Sequence, residues 1–286
     1  MTLPLAGKNA LVTGVSRRRG IGFAVASRLA ELGASVFVQH WRPHDLDQPW
    51  GGDDLDAVRG GIRSSLVGDA SFGDVEADLT DADTVPGLID AASALTGRLD
   101  ILVCNHAKSG DDGSILDMTA DRLDAFWETN TRSTLLLTAE FARRLAPPQS
   151  GQRRPGDAIE GAKPYAAPTG RVFWMTSGQG HGAMRGEVAY ATSKAALAGI
   201  TRTVAAELLE LGIVLNTVNP GPVNTGYMDP DTADRDTSAL EEWLGSTPFG
   251  RVGVPTDPAA LIGWLSTTEG AWIVGQVLTS DGGFSL

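Results

Sequence analysis

Cysteine and histidine are scarce in this chain of 286 residues, and their scarcity excludes whole classes of site. One cysteine can form neither an internal disulfide nor a cysteine-rich metal site, so Cys104, within an apolar run, is expected to be a reduced core thiol of a cytoplasmic protein. The histidines stand at positions 40, 44, 106 and 181, without metal-ligand spacing to acids. Pro43 argues against a helix joining the first two. We predict no catalytic metal.

Positive charge and long hydrophobic runs are scarce as well. The formal net charge of −12 repels phosphate backbones and anionic lipid, so no nucleic-acid or membrane partner is expected. The amino-terminal segment lacks a basic region and is interrupted at residues 7–9 before an apolar segment develops, so no export signal is visible. The uncharged stretch 211–228 contains asparagines and prolines that a membrane span would not tolerate.

Short β-branched runs alternate along the chain with longer segments of helical periodicity. Because the runs are apolar on both faces, they predict a buried parallel sheet with helices on both sides, a doubly wound α/β (Rossmann) fold of about seven strands in one domain, 1–286. The strands are expected at 9–14, 35–40, 71–77, 99–104, 171–176, 213–218 and 275–280. The helices are expected at about 21–33, 53–66, 82–96, 119–146, 188–211 and 257–267.

Two segments interrupt this alternation. Residues 147–169 are rich in proline, glycine and charge, which is typical of a surface insertion. Residues 41–52, WRPHDLDQPWGG, follow the second strand at the ligand-facing edge of the sheet. This second segment is either a cofactor or substrate wall or an ordinarily packed loop.

A glycine-rich turn lies between the first strand and the first helix. Glycines let the backbone approach a pyrophosphate closely, and free amides at a helix start favour negative charge. The turn therefore predicts a dinucleotide site. Its candidate residues are Gly14, Ser16, Arg17, Arg19, Gly20, Ile21 and Gly22.

The end of the second strand bears on which dinucleotide binds. A carboxylate there would bind a ribose 2′-hydroxyl, whereas an arginine would bind a 2′-phosphate. The strand continues into Trp41 and Arg42, no acid follows before Asp45, and the arginines at 17–19 are nearby. This pattern favours NADP(H) over NAD(H), with Trp41 and Arg42 as further cofactor contacts.

The most specific pattern is Ser177, Tyr190 and Lys194, spaced by thirteen and four residues. Tyr190 and Lys194 lie one turn apart on one helical face, and Ser177 follows an apolar strand at the catalytic edge of the sheet. A nearby ammonium is expected to lower the pKa of a tyrosine.

Together these motifs resemble the short-chain dehydrogenase/reductase family over about residues 5–284, most closely its 3-oxoacyl-acyl-carrier-protein reductase type. The resemblance implies that Tyr190 protonates a substrate carbonyl oxygen, that Ser177 forms a hydrogen bond to the same oxygen, and that Lys194 also holds the nicotinamide ribose. It implies that Asn130 anchors a water relay to the lysine. It adds as cofactor contacts Asp78, Leu79, Asn105, Pro220, Gly221, Val223 and Thr225.

The resemblance also implies a substrate flap at about 226–250 and a homo-oligomer, a dimer or tetramer paired through the last strand. Next to Ser177, the side chains of Trp174, Gln179, His181 and Met184 are expected to line a mixed apolar and polar pocket. His106, beside the expected nicotinamide, is either a substrate contact or a loop histidine with a satisfied ring.

Three functions remain open. The first is an NADPH-dependent oxidoreductase that interconverts a ketone or aldehyde and an alcohol. The second is an enoyl reductase, because the glycine turn is two residues longer than usual; against it, that branch would need tyrosine at position 187, which is Glu187. The third is a catalytically silent NADP(H)-binding protein, although such proteins typically lose the tyrosine or lysine that this chain retains.

Overall fold

The computed structural model describes residues 3–146, 154–161, 163–229, 231–232, 242, 244–245 and 249–286. Within them, the strands are β1 Asn9–Val12, β2 Ser35–His40, β3 Phe72–Glu76, β4 Ile101–Cys104, β5 Gly170–Met175, β6 Ile213–Asn219 and β7 Val277–Thr279. The α-helices are α1 Ile21–Glu31, α2 Arg42–Leu46, α3 Leu55–Ser64, α4 Thr84–Ala94, α5 Ala120–Phe126, α6 Ser133–Leu145, α7 Val188–Leu209 and α8 Thr256–Ser266. Short 3₁₀ turns occupy Ile115–Asp117 and Gly178–Gly180, and a π-helical turn occupies Trp127–Arg132.

All seven strands pair in parallel in the order β3-β2-β1-β4-β5-β6-β7. The order reverses direction between β1 and β4, where the chain crosses from one half of the sheet to the other. At such a point the carboxyl ends of the strands open a crevice for a ligand. The predicted α/β doubly wound sheet of seven strands is confirmed.

Helices cover both faces of the sheet. On one face, Val25 and Leu29 of α1, Ile62 of α3 and Ile262 of α8 pack together over the strands. On the other, Ile89 of α4 and the helices α6 and α7 form a second apolar cluster. Because β1, β4, β5 and β6 contribute residues to both clusters, their sequences are apolar on both faces.

Two helical expectations are corrected by the structure. The single helix expected over 119–146 is divided into α5 and α6 by the π-helical turn. A helix also begins at Arg42, within the segment expected to be a loop. Pro43 is compatible with this helix because it lies in the first turn, where a missing N–H costs no intrahelical bond. His40 ends β2 and lies outside α2, so no helix joins it to His44, although Pro43 itself is helical.

Part of the expected insertion at 147–169 and part of the expected flap at 226–250 lie outside the described residues. Of 147–169, the described part precedes β5 and is tied down by Tyr165, whose hydroxyl donates to the Glu210 carbonyl at 2.9 Å. Of the flap at 226–250, only residues 226–229, 231–232, 242, 244–245 and 249–250 are described. In the described ranges, no helix has the length and apolar character needed to cross a membrane.

Candidate active site

The carboxyl ends of three central strands carry the groups predicted for chemistry. Gly14 follows β1, Asn105 follows β4 and Ser177 follows β5. The strands are neighbours in the sheet, so these residues share one edge. Asn105 joins the first two strand ends, because its Nδ2 donates to the carbonyl oxygens of Thr13 at 3.0 Å and Gly14 at 3.1 Å.

Ser177, Tyr190 and Lys194 come together at this edge. The Ser177 hydroxyl lies near enough to the Tyr190 phenol to act on the pKa of that phenol and lower it. The Lys194 ammonium lies 5.8 Å from the centre of the Tyr190 ring and donates to the Met175 carbonyl oxygen at 3.0 Å. Phe126 supports the tyrosine through an edge-on contact, with ring centres 6.4 Å apart. The predicted spacing thus produces a compact group of hydroxyl, phenol and amine.

Burial controls the protonation of this group. Desolvation lowers the pKa of Lys194 to about 8. Desolvation also raises the pKa of Tyr190, and the nearby Ser177 hydroxyl opposes that rise. The expectation that the lysine makes this phenol acidic is therefore wrong for the protein alone, because burial of the phenolate outweighs the favourable contacts.

Asn130 lies in the π-helical turn and is fully buried. Its Oδ1 accepts from the Lys108 N–H at 2.7 Å, and its Nδ2 donates to the Lys108 carbonyl at 3.1 Å and to Ser193 Oγ at 2.9 Å. Ser193 Oγ donates in turn to the Tyr190 carbonyl at 2.7 Å. Asn130 thus connects the loop after β4 to the helix carrying Tyr190; π-helical turns occur frequently at functional sites.

His106 is a buried structural residue in the described contacts. Its Nδ1 lies 2.6 Å from Thr13 Oγ1 and its Nε2 lies 2.7 Å from Ser133 Oγ. Burial, with a smaller contribution from Lys194, lowers its pKa to about 3, so the ring is neutral at physiological pH. Of the two interpretations, the loop histidine with a satisfied ring is the one that the structure supports.

The glycine turn forms a close-fitting cradle at the start of α1. Gly14 has φ +71°, and a Cβ there would lie 2.6 Å from His106 Cα. A Cβ on Gly22 would lie 2.7 Å from the Gly14 carbonyl oxygen. The helix begins after Gly20, which has no side chain to cap it, and its first turn contains no acid. These features leave helix-start amides for an anion, so the residues fit a dinucleotide pyrophosphate.

Ser16 and Arg17 are engaged by an acid that the sequence argument had discounted. Asp45, on α2, is buried, accepts a hydrogen bond from the Ser16 hydroxyl and lies 3.0 Å from Arg17 Nε. Asp45 is the first acid after β2 in the sequence, and α2 folds it back onto the glycine turn. Desolvation is the main cause that lowers the pKa of Arg17, and Asp45 opposes it.

The other arginines near the turn have different partners. Arg18 forms an exposed ion pair with Asp53, at 2.7 Å, and Arg19 forms one with Asp229, at 2.5 Å. Arg42, the first residue of α2, has a buried Nε without a hydrogen-bond partner in the described structure. Such an orphaned donor is what an anionic ligand would satisfy. The preceding Trp41 is the N-cap residue of α2 and is 36% exposed.

The segment 41–52 packs over the glycine turn. The Arg17 guanidinium lies 5.5 Å from the centre of the Trp50 ring, and its Nη1 donates to the Thr225 carbonyl at 2.8 Å. Trp50 also meets Tyr227 edge-on, with ring centres 6.4 Å apart. Trp50 lies in the expected wall or loop at 41–52 and Tyr227 in the expected flap at 226–250, but their contact could not be predicted, because contacts between segments so far apart leave no periodic signal.

The remaining predicted cofactor residues lie at the ends of β3 and β6. Asp78 Oδ1 accepts from the Thr80 N–H at 2.9 Å, and Leu79 beside it is buried. After β6, Gly221 has φ +63°, and a Cβ there would lie 2.3 Å from Asp281 Cβ. Pro220 is buried. Val223 is buried and bridges to Gly253.

The expected pocket wall around Ser177 is corrected at one position. Trp174 is fully buried, and its Nε1 donates to Thr138 Oγ1 at 2.9 Å, so it belongs to the core beneath α6. Met184 does approach the site, with its sulfur 4.0 Å from Ser177 Oγ. Gln179 donates to Thr176 Oγ1 at 3.1 Å, and His181 Nε2 lies 3.0 Å from Thr279 Oγ1.

Comparison with known proteins identifies the family. The family model described as short chain dehydrogenase matches residues 8–236. This chain belongs to that family. It is 34% identical to the uncharacterized oxidoreductase YjdA of Bacillus subtilis, over 97% of this chain and 96% of that protein. It is 33% identical to an NADPH-dependent aldehyde reductase-like chloroplastic protein of Arabidopsis thaliana, over 99% and 96% of the two chains.

A solved structure supports the same conclusion. A short chain dehydrogenase from Burkholderia cenocepacia, determined in complex with NADP, superposes with a TM-score of 0.75 and is 31% identical. The match covers 98% of each chain. The chain is therefore an oxidoreductase of the short-chain dehydrogenase/reductase family, whose members use a nicotinamide cofactor and include enzymes that act on carbonyl compounds.

Proposed function

We propose that this protein is an NADP(H)-dependent oxidoreductase that reduces a ketone or aldehyde to an alcohol, or catalyses the reverse reaction. The observation that carries the proposal is the convergence of Ser177, Tyr190 and Lys194 beside a glycine cradle that fits a pyrophosphate. In this proposal Tyr190 is the general acid and base. Ser177 hydrogen-bonds the reacting oxygen, and Asn130 belongs to the proton-relay network.

The chemistry divides between cofactor and protein. When bound, the reduced nicotinamide supplies the hydride that adds to the carbonyl carbon. Tyr190 donates its proton to the carbonyl oxygen, and Ser177 stabilises the negative charge that develops there. Lys194, whose pKa is lowered to about 8 by burial, can replace the proton that the phenol gives up. Alcohol oxidation runs through the same groups in reverse.

The cofactor is held in this proposal by the residues that line the crevice. The amides at the start of α1 bind the pyrophosphate, Asp78 and Leu79 contact the adenine, and Asn105 and Thr225 lie toward the nicotinamide. The choice of NADP(H) is supported by the orphaned Nε of Arg42. It is also supported by the NADPH in the name of the Arabidopsis relative and the NADP in the Burkholderia structure.

The proposal extends to the location and assembly of the protein. Cys104 is buried and unpaired, as a reduced protein of the cytoplasm would have it. A homo-oligomer is supported by large apolar side chains near β7 that a second copy would cover, among them Trp272, which is 96% exposed.

A direct spectrophotometric assay of cofactor oxidation tests the reaction class. Purified protein is mixed with NADPH or NADH and a panel of aldehydes, cyclic ketones and acetoacetyl thioester, and absorbance of the reduced cofactor is followed. We expect oxidation of NADPH with at least one carbonyl compound and a lower rate with NADH. Tight NADPH binding without turnover across the panel would support the silent binding protein instead.

The enoyl reductase interpretation is tested in the same assay with crotonyl thioester. The two additional residues in the glycine turn favour it, whereas the position of Tyr190 four residues before Lys194 opposes it. We expect acetoacetyl thioester to be the better substrate of the two. A clear preference for the alkene would overturn the proposed reaction.

A further inference from the structure

The helix that carries Tyr190 and Lys194 has an unusual start. Tyr190 is the third residue of α7, within the turn whose backbone amides have no partner inside the helix. The residue at the N-cap, Glu187, makes no side-chain capping bond, and the first turn contains no acid. The first turn is therefore not capped from within its own segment.

A distant acid supplies that cap. Asp112, in the loop after β4, accepts from the Ala189 N–H at 3.1 Å through Oδ1 and from the Tyr190 N–H at 2.8 Å through Oδ2. The adjacent Gly113 carbonyl accepts from the Val188 N–H at 3.2 Å. All three amides of the first turn are thus satisfied from one loop. A carboxylate at this end also interacts favourably with the helix dipole.

The loop is shaped to present this carboxylate. Gly110 and Asp111 both have positive φ, +74° and +52°, and the latter conformation is uncommon for a residue with a side chain. Asp112 Oδ1 also accepts from the Gly113 N–H at 2.7 Å, which fixes its orientation. At the other end of the loop, Lys108 is held through its backbone by Asn130.

We propose that Asp112 is a positioning residue for catalysis, which fixes the first turn of α7 and with it the phenol of Tyr190 against Ser177. This inference rests on the proposed role of Tyr190. Asp112 contacts the backbone of the turn and acts through it, without touching the reacting atoms. Because a misplacement of about 1 Å can cost roughly 10²-fold in rate, loss of the cap should reduce turnover well beyond its effect on folding.

Three variants test the proposal with the carbonyl panel and NADPH. Asp112→Ala removes the cap, Asp112→Asn retains an acceptor oxygen, and Thr119→Ala is a matched control, because Thr119 caps the first turn of α5 through a bond from the Arg122 N–H at 3.2 Å. We expect Asp112→Ala to lower kcat by about 10²-fold with NADPH affinity nearly unchanged. Asp112→Asn should lose less kcat than Asp112→Ala without reaching the wild-type value, because its amide offers one acceptor oxygen where the carboxylate uses two. Thr119→Ala should retain normal kcat.

Amide hydrogen exchange measures how far the cap protects the first turn of α7, and it needs no substrate. Protection at residues 188–190 should fall in Asp112→Ala and persist in Thr119→Ala. Unchanged protection or an unchanged kcat in Asp112→Ala would each overturn the inference. If wild-type protein turns over no carbonyl while the exchange result holds, the proposed function fails and the cap stands.

Discussion

Removing the charge of Lys194 should stabilise this protein while abolishing its proposed activity. Lys194 is 2% exposed, and its pKa falls from 10.5 to about 8 because burial penalises the ammonium. At about 1.4 kcal/mol per pH unit, this corresponds to a cost of roughly 3 kcal/mol in the folded state at pH 7. The substitution Lys194→Met keeps a stem of similar length and removes the charge.

The expected gain is smaller than that cost, because the Met175 carbonyl loses the hydrogen bond from Nζ, a loss of about 1 kcal/mol. We expect Lys194→Met to raise the free energy of unfolding by about 2 kcal/mol at pH 7. The gain depends on pH with a definite sign. Between pH 8 and 10.5 the unfolded wild-type chain binds the proton and the folded wild-type protein does not. The free energy of unfolding of the wild type therefore rises with pH, and its difference from that of Lys194→Met disappears.

Urea unfolding of both proteins at pH 7 and pH 10, without nucleotide, measures this difference. Lys8→Met is the control, since Lys8 is a half-exposed lysine 3.4 Å from Asp100 and should change stability by less than about 0.5 kcal/mol. A Lys194→Met protein that is less stable at pH 7, with the same gap at pH 10, would refute the reasoning.

Two other substitutions probe the cofactor crevice. Asp45→Asn should raise the NADPH-to-NADH ratio of kcat/KM about tenfold, because it removes a buried negative charge beside Ser16 and Arg17 while keeping an acceptor. An unchanged or lower ratio in steady-state kinetics would show that the carboxylate does not oppose a 2′-phosphate. Gly14→Ala should cost about 1–3 kcal/mol of stability and most of the NADPH affinity, since its φ of +71° and the backbone of His106 leave no room for a Cβ; calorimetric binding with wild-type affinity would contradict this.

The strands and the proximity of Ser177, Tyr190 and Lys194 could be predicted because their signals are local. Short apolar and β-branched runs place all seven strands within about two residues of where they lie, including β3 and β7, which are only partly buried. The four-residue spacing of Tyr190 and Lys194 requires only that the segment be helical. The π-helical turn at Trp127–Arg132 leaves no such signal, because α5, the turn and α6 follow one another without an intervening loop.

The contacts that shape the crevice could not be predicted, because they join segments far apart in the chain. Asp45 meets Arg17 only because α2, whose first turn includes Pro43, folds over the glycine turn, and Asp112 reaches α7 only through a turn with positive φ. In both cases a single acid has no periodicity and its partner is a backbone amide or a distant side chain. Such residues become visible only when the fold is known.

The central claim is that the Tyr190 phenol delivers a proton next to a bound nicotinamide. The direct test compares Tyr190→Phe with wild-type protein for both NADPH binding by calorimetry and turnover on the best carbonyl substrate. We expect turnover to fall by several orders of magnitude while NADPH affinity stays largely intact, because the change removes the proton donor and leaves the cofactor contacts. Retained turnover in Tyr190→Phe would contradict the account.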